Sequence, residues 1–232
     1  MHPPVDVGDL DRHDAVHVWV GCADPPLDTP LTRGERARAD RYRFRRDRTR
    51  FVARRSLLRR LVAAYVDEDP AKVRFGVTDR GRPTLQWPAS DLQFSVTSSS
   101  DLVAVALTRR RAVGIDVEWL RDGVRQDLEG RVCTPAECAA LAVLPSNART
   151  RAFFELWCHK EAVVKADGRG LGLPVDVVDV ADALAHGAVQ VRIPTEDDAT
   201  YSSVTLRLAT EYAAAAAVRG APCDVRIMKS HY

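Results

Sequence analysis

Residues 113–118 read Val113-Gly114-Ile115-Asp116-Val117-Glu118, and apolar and acidic side chains alternate after the glycine. A β-strand has a side-chain period of two, so the pattern predicts a strand with Asp116 and Glu118 on one face and Ile115 and Val117 towards the core. Two carboxylates about 7 Å apart along a strand repel each other unless a cation lies nearby. Carboxylate oxygens suit a hard ion such as Mg²⁺. The alternative is a strand whose solvent face is simply acidic.

A second segment, residues 153–165, reads FFELWCHKEAVVK and predicts a helix. On that helix Trp157, Glu161 and Lys165 lie one above another at i, i+4 and i+8, so a carboxylate and an ammonium share the stripe of a large aromatic. Glu–Lys pairs of this kind are often no more than surface ion pairs. The aromatic residues immediately upstream and the glycine-rich exit at residues 168–172 favour a functional site instead.

Helices and strands alternate through the rest of the chain. Helices are predicted from Thr29 or Thr32, over Phe51–Val66, from the capping box of Thr134 and over residues 148–167. Strands are predicted at residues 16–20, 73–75, 92–96, 102–107, 112–118, 175–180, 189–193, 203–208 and 211–218. The predicted class is α+β, in two halves of similar layout, residues 1–111 and 112–232.

Composition limits the cellular context. Hydrophobic residues make up 46% and charged residues 28% of the 232 residues, which is ordinary for a globular enzyme. No signal peptide and no membrane span are recognisable, so a cytoplasmic protein is expected. The five cysteines are thinly spread, and a disulfide framework is not expected. Cys133, Cys138, Cys158 and His159 lack a second closely spaced ligand pair, so buried reduced thiols are favoured over zinc.

Positive charge is concentrated in one stretch, Arg33–Arg60, which holds thirteen arginines against three acidic residues, a local excess of ten. Such a surface suits an anionic partner. Nucleic acid is one alternative. It is disfavoured because the stretch has few interleaved aromatics (Tyr42, Phe44 and Phe51) and because it leaves the acidic strand unexplained.

Together, the two motifs resemble the signatures of the 4'-phosphopantetheinyl transferase superfamily: a Gly-hydrophobic-Asp-hydrophobic-Glu strand followed by Trp-x-x-Lys-Glu-Ala-x-x-Lys. The separation of 43 residues from Glu118 to Glu161 resembles that of the longer, Sfp-type branch. The resemblance implies two similar α+β halves with coenzyme A and a metal in the cleft between them. It also implies transfer of the phosphopantetheine arm of coenzyme A to a serine of an acidic apo carrier protein, with release of 3',5'-ADP.

The resemblance assigns roles to individual residues. Asp116, Glu118 and Glu161 would bind Mg²⁺, which in turn would bind the diphosphate of coenzyme A. Glu161, or a water on the metal, would take the proton of the carrier serine. Lys165 would stabilise or protonate the departing phosphate oxygen, and Lys160 would steer the anionic substrate. Trp157 is interpreted as packing.

Further residues resemble those that contact the nucleotide. Arg38, Arg50 and Arg82 correspond by position to basic residues that family members use on the phosphates, and Thr97 supplies a hydroxyl. Ser98 stands where the family has a histidine, so one strong donor is replaced. This departure supports the alternative of a catalytically impaired member that binds carriers as a scaffold. The internally duplicated layout favours a monomer. Neither nucleic acid nor membrane is expected as a partner.

Overall fold

The computed structural model describes residues 7, 10, 14–22, 31–121, 126–193 and 198–229. The chain divides into two compact units. Unit 1 comprises Met1–Thr78, Pro83–Arg110 and Asp224–Tyr232, and unit 2 comprises Asp79–Arg82 and Arg111–Cys223. Both units combine a long helix with a four-stranded sheet, so the predicted α+β class is confirmed. None of the described helices is both long and apolar enough to cross a bilayer.

Unit 1 contains strands β1 (Ala15–Cys22), β2 (Arg74–Val77), β3 (Pro83–Trp87), β4 (Leu92–Ser99), β5 (Leu102–Arg109) and β10 (Asp224–Lys229), with helices α1 (Arg33–Asp40) and α2 (Arg45–Tyr65). Its main sheet has the order β10-β1-β5-β4, and β2 pairs with β3 as a separate hairpin. Helix α2 packs on β4 and β5. The apolar stripe predicted for α2 is buried, which confirms that this helix faces the core.

Helix α1 begins at one of its two predicted starts. Thr32 is its N-cap, and Thr32 and Glu35 form a reciprocal capping box. The alternative start, Thr29, lies outside the described residues. Nη2 of the fully buried Arg59 donates to both carboxylate oxygens of Glu35, at 2.7 and 2.9 Å, so these two residues of the basic stretch serve the interior of the unit.

Unit 2 contains strands β6 (Val113–Trp119), β7 (Ala188–Arg192), β8 (Thr200–Thr205) and β9 (Tyr212–Arg219), with helices α3 (Gln126–Val132), α4 (Pro135–Ala142), α5 (Ser146–Asp167) and α6 (Ala183–His186). The sheet order is β6-β9-β8-β7, and all its pairings are antiparallel. Helix α5 packs across β6, β9 and β8. The predicted capping box of Thr134 and Glu137 starts α4.

One predicted element is wrong, and β3, α3, α6 and β10 were not predicted. Residues 175–180 do not form a strand: Val175–Val177 is a turn of 3₁₀-helix, and side chains, not a neighbouring strand, satisfy the backbone around it. The final strand, β10, was not predicted. It pairs in parallel with β1, from Ala15 opposite Asp224 to Val20 opposite Lys229. Residues 224–232 therefore belong to unit 1, although the sequence had placed them in the second half.

The cysteines are only partly as expected. All five are free thiols; Cys133 and Cys158 are buried, Cys138 and Cys223 are half-buried, and Cys22 is exposed. The expectation of a buried thiol is wrong for Cys22, which ends β1.

A substitution at Gly114 tests how tightly α5 packs on β6. A Cβ at this position would lie 2.6 Å from Ala166 N and still closer to the carbonyl oxygen of Ala162, both on the α5 backbone. We expect Gly114→Ala to destabilise the protein by about 3 kcal/mol, because the helix backbone has to move. Gly130→Ala, in α3, is the matched control: nothing lies within 4 Å of its added Cβ. Urea unfolding of both variants measures the difference, and an equal stability for the two would contradict the packing.

Candidate active site

The predicted acidic strand and the predicted helix lie face to face in unit 2. Gly114, Asp116 and Glu118 pair with Ala217, Ala215 and Ala213 of β9, which puts them on one face of the sheet. The small residues of both strands leave room for α5 to lie close to that face.

The prediction about the two faces of β6 needs a correction. Asp116, expected on the face away from the core, is buried and faces α5. Ile115 and Val117, on the opposite face, are buried as well. The sequence pattern gave the correct alternation, but it could not indicate that a helix covers the acidic face.

Lys165 contacts the acidic strand directly. Its Nζ donates to Asp116 Oδ1 at 2.6 Å and to the carbonyl oxygen of Ile115 at 3.1 Å. The ion pair joins a mostly buried carboxylate to a half-buried ammonium. The structure therefore brings the two predicted motifs together in one unit.

Glu161 lies within electrostatic reach of the same group. Burial is the largest cause that raises the pKa of Glu161, and the negative charges of Asp116 and Glu118 raise it further. Lys165 opposes this rise. The charges of Asp116, Glu118, Glu161 and Lys165 therefore influence one another where α5 packs against β6.

This group fits a hard divalent cation by its chemistry. Its donors are carboxylate oxygens, the ligand type that Mg²⁺ prefers. The repulsion that raises the pKa of Glu161 is also what a bound cation would relieve. Among the described residues, no three His, Cys, Asp or Glu side chains are already arranged as a metal-binding cluster. The metal-ligand assignment of Asp116, Glu118 and Glu161 therefore stays a prediction.

The other residues of the helix motif serve packing. Trp157 lies partly buried against the core of unit 2, in keeping with its interpretation as packing. Cys158 donates from Sγ to the carbonyl oxygen of Ala213 at 3.4 Å. The ring nitrogens of His159 lie 2.7 Å from Ser203 Oγ and 2.9 Å from Thr205 Oγ1. Cys158 and His159, which had raised the zinc alternative, are thus directed at the sheet.

Lys160, predicted to steer the anionic substrate, is buried inside unit 2. Its side chain is fully buried and forms an ion pair with Glu137 at 2.8 Å. It also donates to the carbonyl oxygens of Val175, at 2.9 Å, and Val178, at 2.6 Å. An ammonium has three N–H donors, and these three oxygens account for them. The geometry is therefore at odds with a role for Lys160 in steering the anionic substrate.

The sequence predicted Glu137 only as a capping residue and did not indicate that it pairs with Lys160. Besides the N-cap nitrogen of Thr134, it accepts a hydrogen bond from Val180 N at 2.8 Å. The capping-box signal was visible in the sequence, whereas the long-range pairing with Lys160 had no sequence signal.

The predicted phosphate contacts are divided between the units. In unit 1, Arg38 is exposed on α1 and its guanidinium lies over the ring of Phe51 at 5.4 Å. Arg50 is half-buried on α2, and on β4 Thr97 is buried while Ser98 is half-buried. In unit 2, Arg82 is half-buried beside the end of α5. Their assignment to coenzyme A stays a prediction.

Both halves of the chain match one family of known proteins. Residues 112–217 match the profile of the 4'-phosphopantetheinyl transferase superfamily, and residues 28–110 match the profile described as 4'-phosphopantetheinyl transferase, N-terminal. The 4'-phosphopantetheinyl transferase HetI of a Nostoc species is 36% identical over 169 residues, covering 68% of this chain and 70% of the relative. A 4'-phosphopantetheinyl transferase of Bacillus subtilis is 29% identical, covering 72% and 79%. Sfp of Bacillus subtilis is 25% identical, covering 75% and 82%.

The buried position of Lys160 leads to a stability prediction. Lys160→Met leaves the Glu137 carboxylate buried without its cation, so we expect a loss of about 3–5 kcal/mol in the free energy of unfolding. Lys72→Met, at a side chain that is 66% exposed, is the control and should change stability little. Denaturant unfolding gives the result. A stable Lys160→Met protein with weakened coenzyme A binding would instead restore the steering role.

Proposed function

This chain belongs to the 4'-phosphopantetheinyl transferase superfamily, and from that premise we propose that it transfers the phosphopantetheine arm of coenzyme A to a serine of an apo carrier protein. The product besides the holo carrier would be 3',5'-ADP. The observation that carries the proposal is the convergence of Asp116, Glu161 and Lys165 between β6 and α5. The relatives bear the corresponding names. Neither the scaffold nor the nucleic-acid alternative gains support from them.

The proposal includes a magnesium ion. Asp116, Glu118 and Glu161 would hold it, and when bound it would supply charge neutralisation at the diphosphate of coenzyme A. The support is the negative charge of Asp116 and Glu118 near Glu161, whose own negative charge is made costly by burial and by these neighbours.

The protein's own residues would handle the protons. Glu161, a carboxylate on the helix that packs against β6, would accept the proton of the carrier serine as a general base. Lys165 would donate to the departing phosphate oxygen. Its ammonium is held beside the acids by Asp116 and by the carbonyl oxygen of Ile115, so its position is set before substrate arrives.

Finer features of the proposal concern partner and branch. We assign the chain to the Sfp-type branch, which serves secondary-metabolite synthases, on the motif spacing and the similarity to Sfp. The thirteen arginines of residues 33–60 would suit an acidic carrier and the phosphates of coenzyme A. We also propose that the protein is a cytoplasmic monomer that binds neither membrane nor nucleic acid.

Transfer itself tests the function. With coenzyme A and Mg²⁺, the purified chain should add the mass of one phosphopantetheine arm to an apo carrier, read by mass spectrometry. Asp116→Ala should reduce transfer below detection and weaken Mn²⁺ binding measured by calorimetry, because one carboxylate ligand is lost. Asp176→Ala, at an exposed acid of the same unit, is the control and should transfer normally. Normal turnover by Asp116→Ala would refute the metal role, and no transfer by the wild-type chain would refute the function.

The role of Lys165 has a separate kinetic test. Lys165→Ala should lower kcat by roughly 10²–10⁴-fold, the range for a lost general acid, while the Kd for coenzyme A changes much less. Lys229→Ala, at an exposed lysine of unit 1, should leave both constants unchanged. An unaltered kcat in Lys165→Ala would exclude proton donation or charge stabilisation by this residue.

A further inference from the structure

Arg82 touches both elements that carry the candidate active site. It lies in the short segment Asp79–Arg82, which belongs to unit 2 by its contacts. Its Nη1 donates to the carbonyl oxygen of Ala166, in the last turn of α5, at 3.0 Å. Its Nη2 lies 3.5 Å from the carbonyl oxygen of Val113, the first residue of β6, which is a weaker contact. The guanidinium is thus seated where α5 ends and β6 begins.

Gly168 leaves space for the side chain of Arg82. It ends α5 in the left-handed conformation, with φ of +82°, where a residue with a Cβ is strained. A Cβ there would also lie 3.1 Å from Arg82 Cδ and 3.4 Å from Arg82 Nη1. The helix cap and the arginine therefore occupy adjoining space, and the position of one constrains the other.

Asp167, between Ala166 and Gly168, is held on both of its carboxylate oxygens. The hydroxyl of Tyr201 donates to Oδ2 at 2.9 Å, and Arg169 Nε donates to Oδ1 at 2.6 Å. The Asp167 side chain is 5% exposed and Tyr201 is 2% exposed. Tyr201 lies on β8, so its hydrogen bond to Asp167 anchors the end of α5 to the sheet. This also fixes the positions of Ala166 and Gly168, which lie next to Arg82.

Asp167 also acts on the charge of Arg82. Burial is the largest influence and lowers the pKa of this guanidinium, whereas the negative charge of the Asp167 carboxylate opposes that effect. The carboxylate of Asp167 thus compensates part of the cost of holding a cation in a half-buried place. Geometry and charge both indicate that the pair supports Arg82.

We propose that Tyr201 and Asp167 are positioning residues for Arg82, which hold its guanidinium at the end of α5 in the orientation that binds a phosphate of coenzyme A. The inference rests on the proposed function, and specifically on the phosphate contact assigned to Arg82. It adds that the helix carrying Glu161 and Lys165 also sets the position of the nucleotide-binding arginine.

The test is a double-mutant cycle read by coenzyme A affinity. Tyr201→Phe removes only the hydroxyl, and calorimetry should then show a Kd for coenzyme A that is about fivefold higher. Loss of a hydrogen bond to a charged group corresponds to roughly tenfold or more in an equilibrium constant, and we expect only part of that effect to reach Arg82. The kcat at saturating coenzyme A should change less than about twofold, because the reacting groups are untouched. In an Arg82→Ala background, Tyr201→Phe should have no further effect on the Kd.

Tyr65→Phe is the matched control. Tyr65 is also buried, and its hydroxyl lies 2.9 Å from the donating Trp19 Nε1 in unit 1, so this variant measures what losing a buried tyrosine hydroxyl does in general. It should leave the Kd unchanged even if it unfolds at a lower temperature.

Several outcomes would overturn the proposal. An unchanged Kd in Tyr201→Phe, effects that add in the double variant, or an Arg82→Ala variant with normal affinity would each do so. A wild-type chain that binds coenzyme A but transfers nothing would refute the proposed function, while the comparison of Kd values would still decide the positioning role.

Discussion

The close contact of helix α5 with strand β6 over Gly114 is the constraint on which the rest of the site depends. The absence of a Cβ lets the carbonyl of Ala162 and the amide of Ala166 approach the strand backbone. Side chains from the two elements then meet over short distances, as Lys165 does with Asp116 at 2.6 Å. A larger residue at position 114 would separate the helix from the strand, and with it Glu161 and Lys165 from Asp116 and Glu118. The chemistry of the site therefore depends on a packing contact that contains no reactive group.

Charge is buried repeatedly in this protein, and each buried charge has a partner in its own unit. Lys160 pairs with Glu137, and Arg59 pairs with Glu35. Removing an ion from water costs several kcal/mol unless a counter-ion and hydrogen bonds compensate it. The Lys160–Glu137 pair also binds backbone groups of residues 175–180, so it orders the segment that follows α5. Of the two lysines in the helix motif, one is structural and the other lies at the acids.

Local sequence rules predicted the elements well where local physics determines them. The helix start at Thr32, the capping box at Thr134, the buried stripe of α2 and the end of α5 at Gly168 all follow from short-range patterns. The prediction was wrong at residues 175–180, where a valine-rich run is typical of a strand. There the backbone is satisfied by the side chains of Lys160 and Glu137, which are distant in sequence. Strand β10 was missed because its pairing with β1 joins the two ends of the chain.

The sequence by itself determined the residue types of the site and their order along the chain, because a two-residue period places Asp116 with Glu118 and a helical period places Glu161 with Lys165. Only the tertiary structure decided that α5 covers the acidic face, that Lys160 is buried, and that Arg82 is seated beside Gly168. Periodicity specifies which side chains share a face of one element. It carries no information about which element packs against that face, since that depends on contacts between residues far apart in the chain.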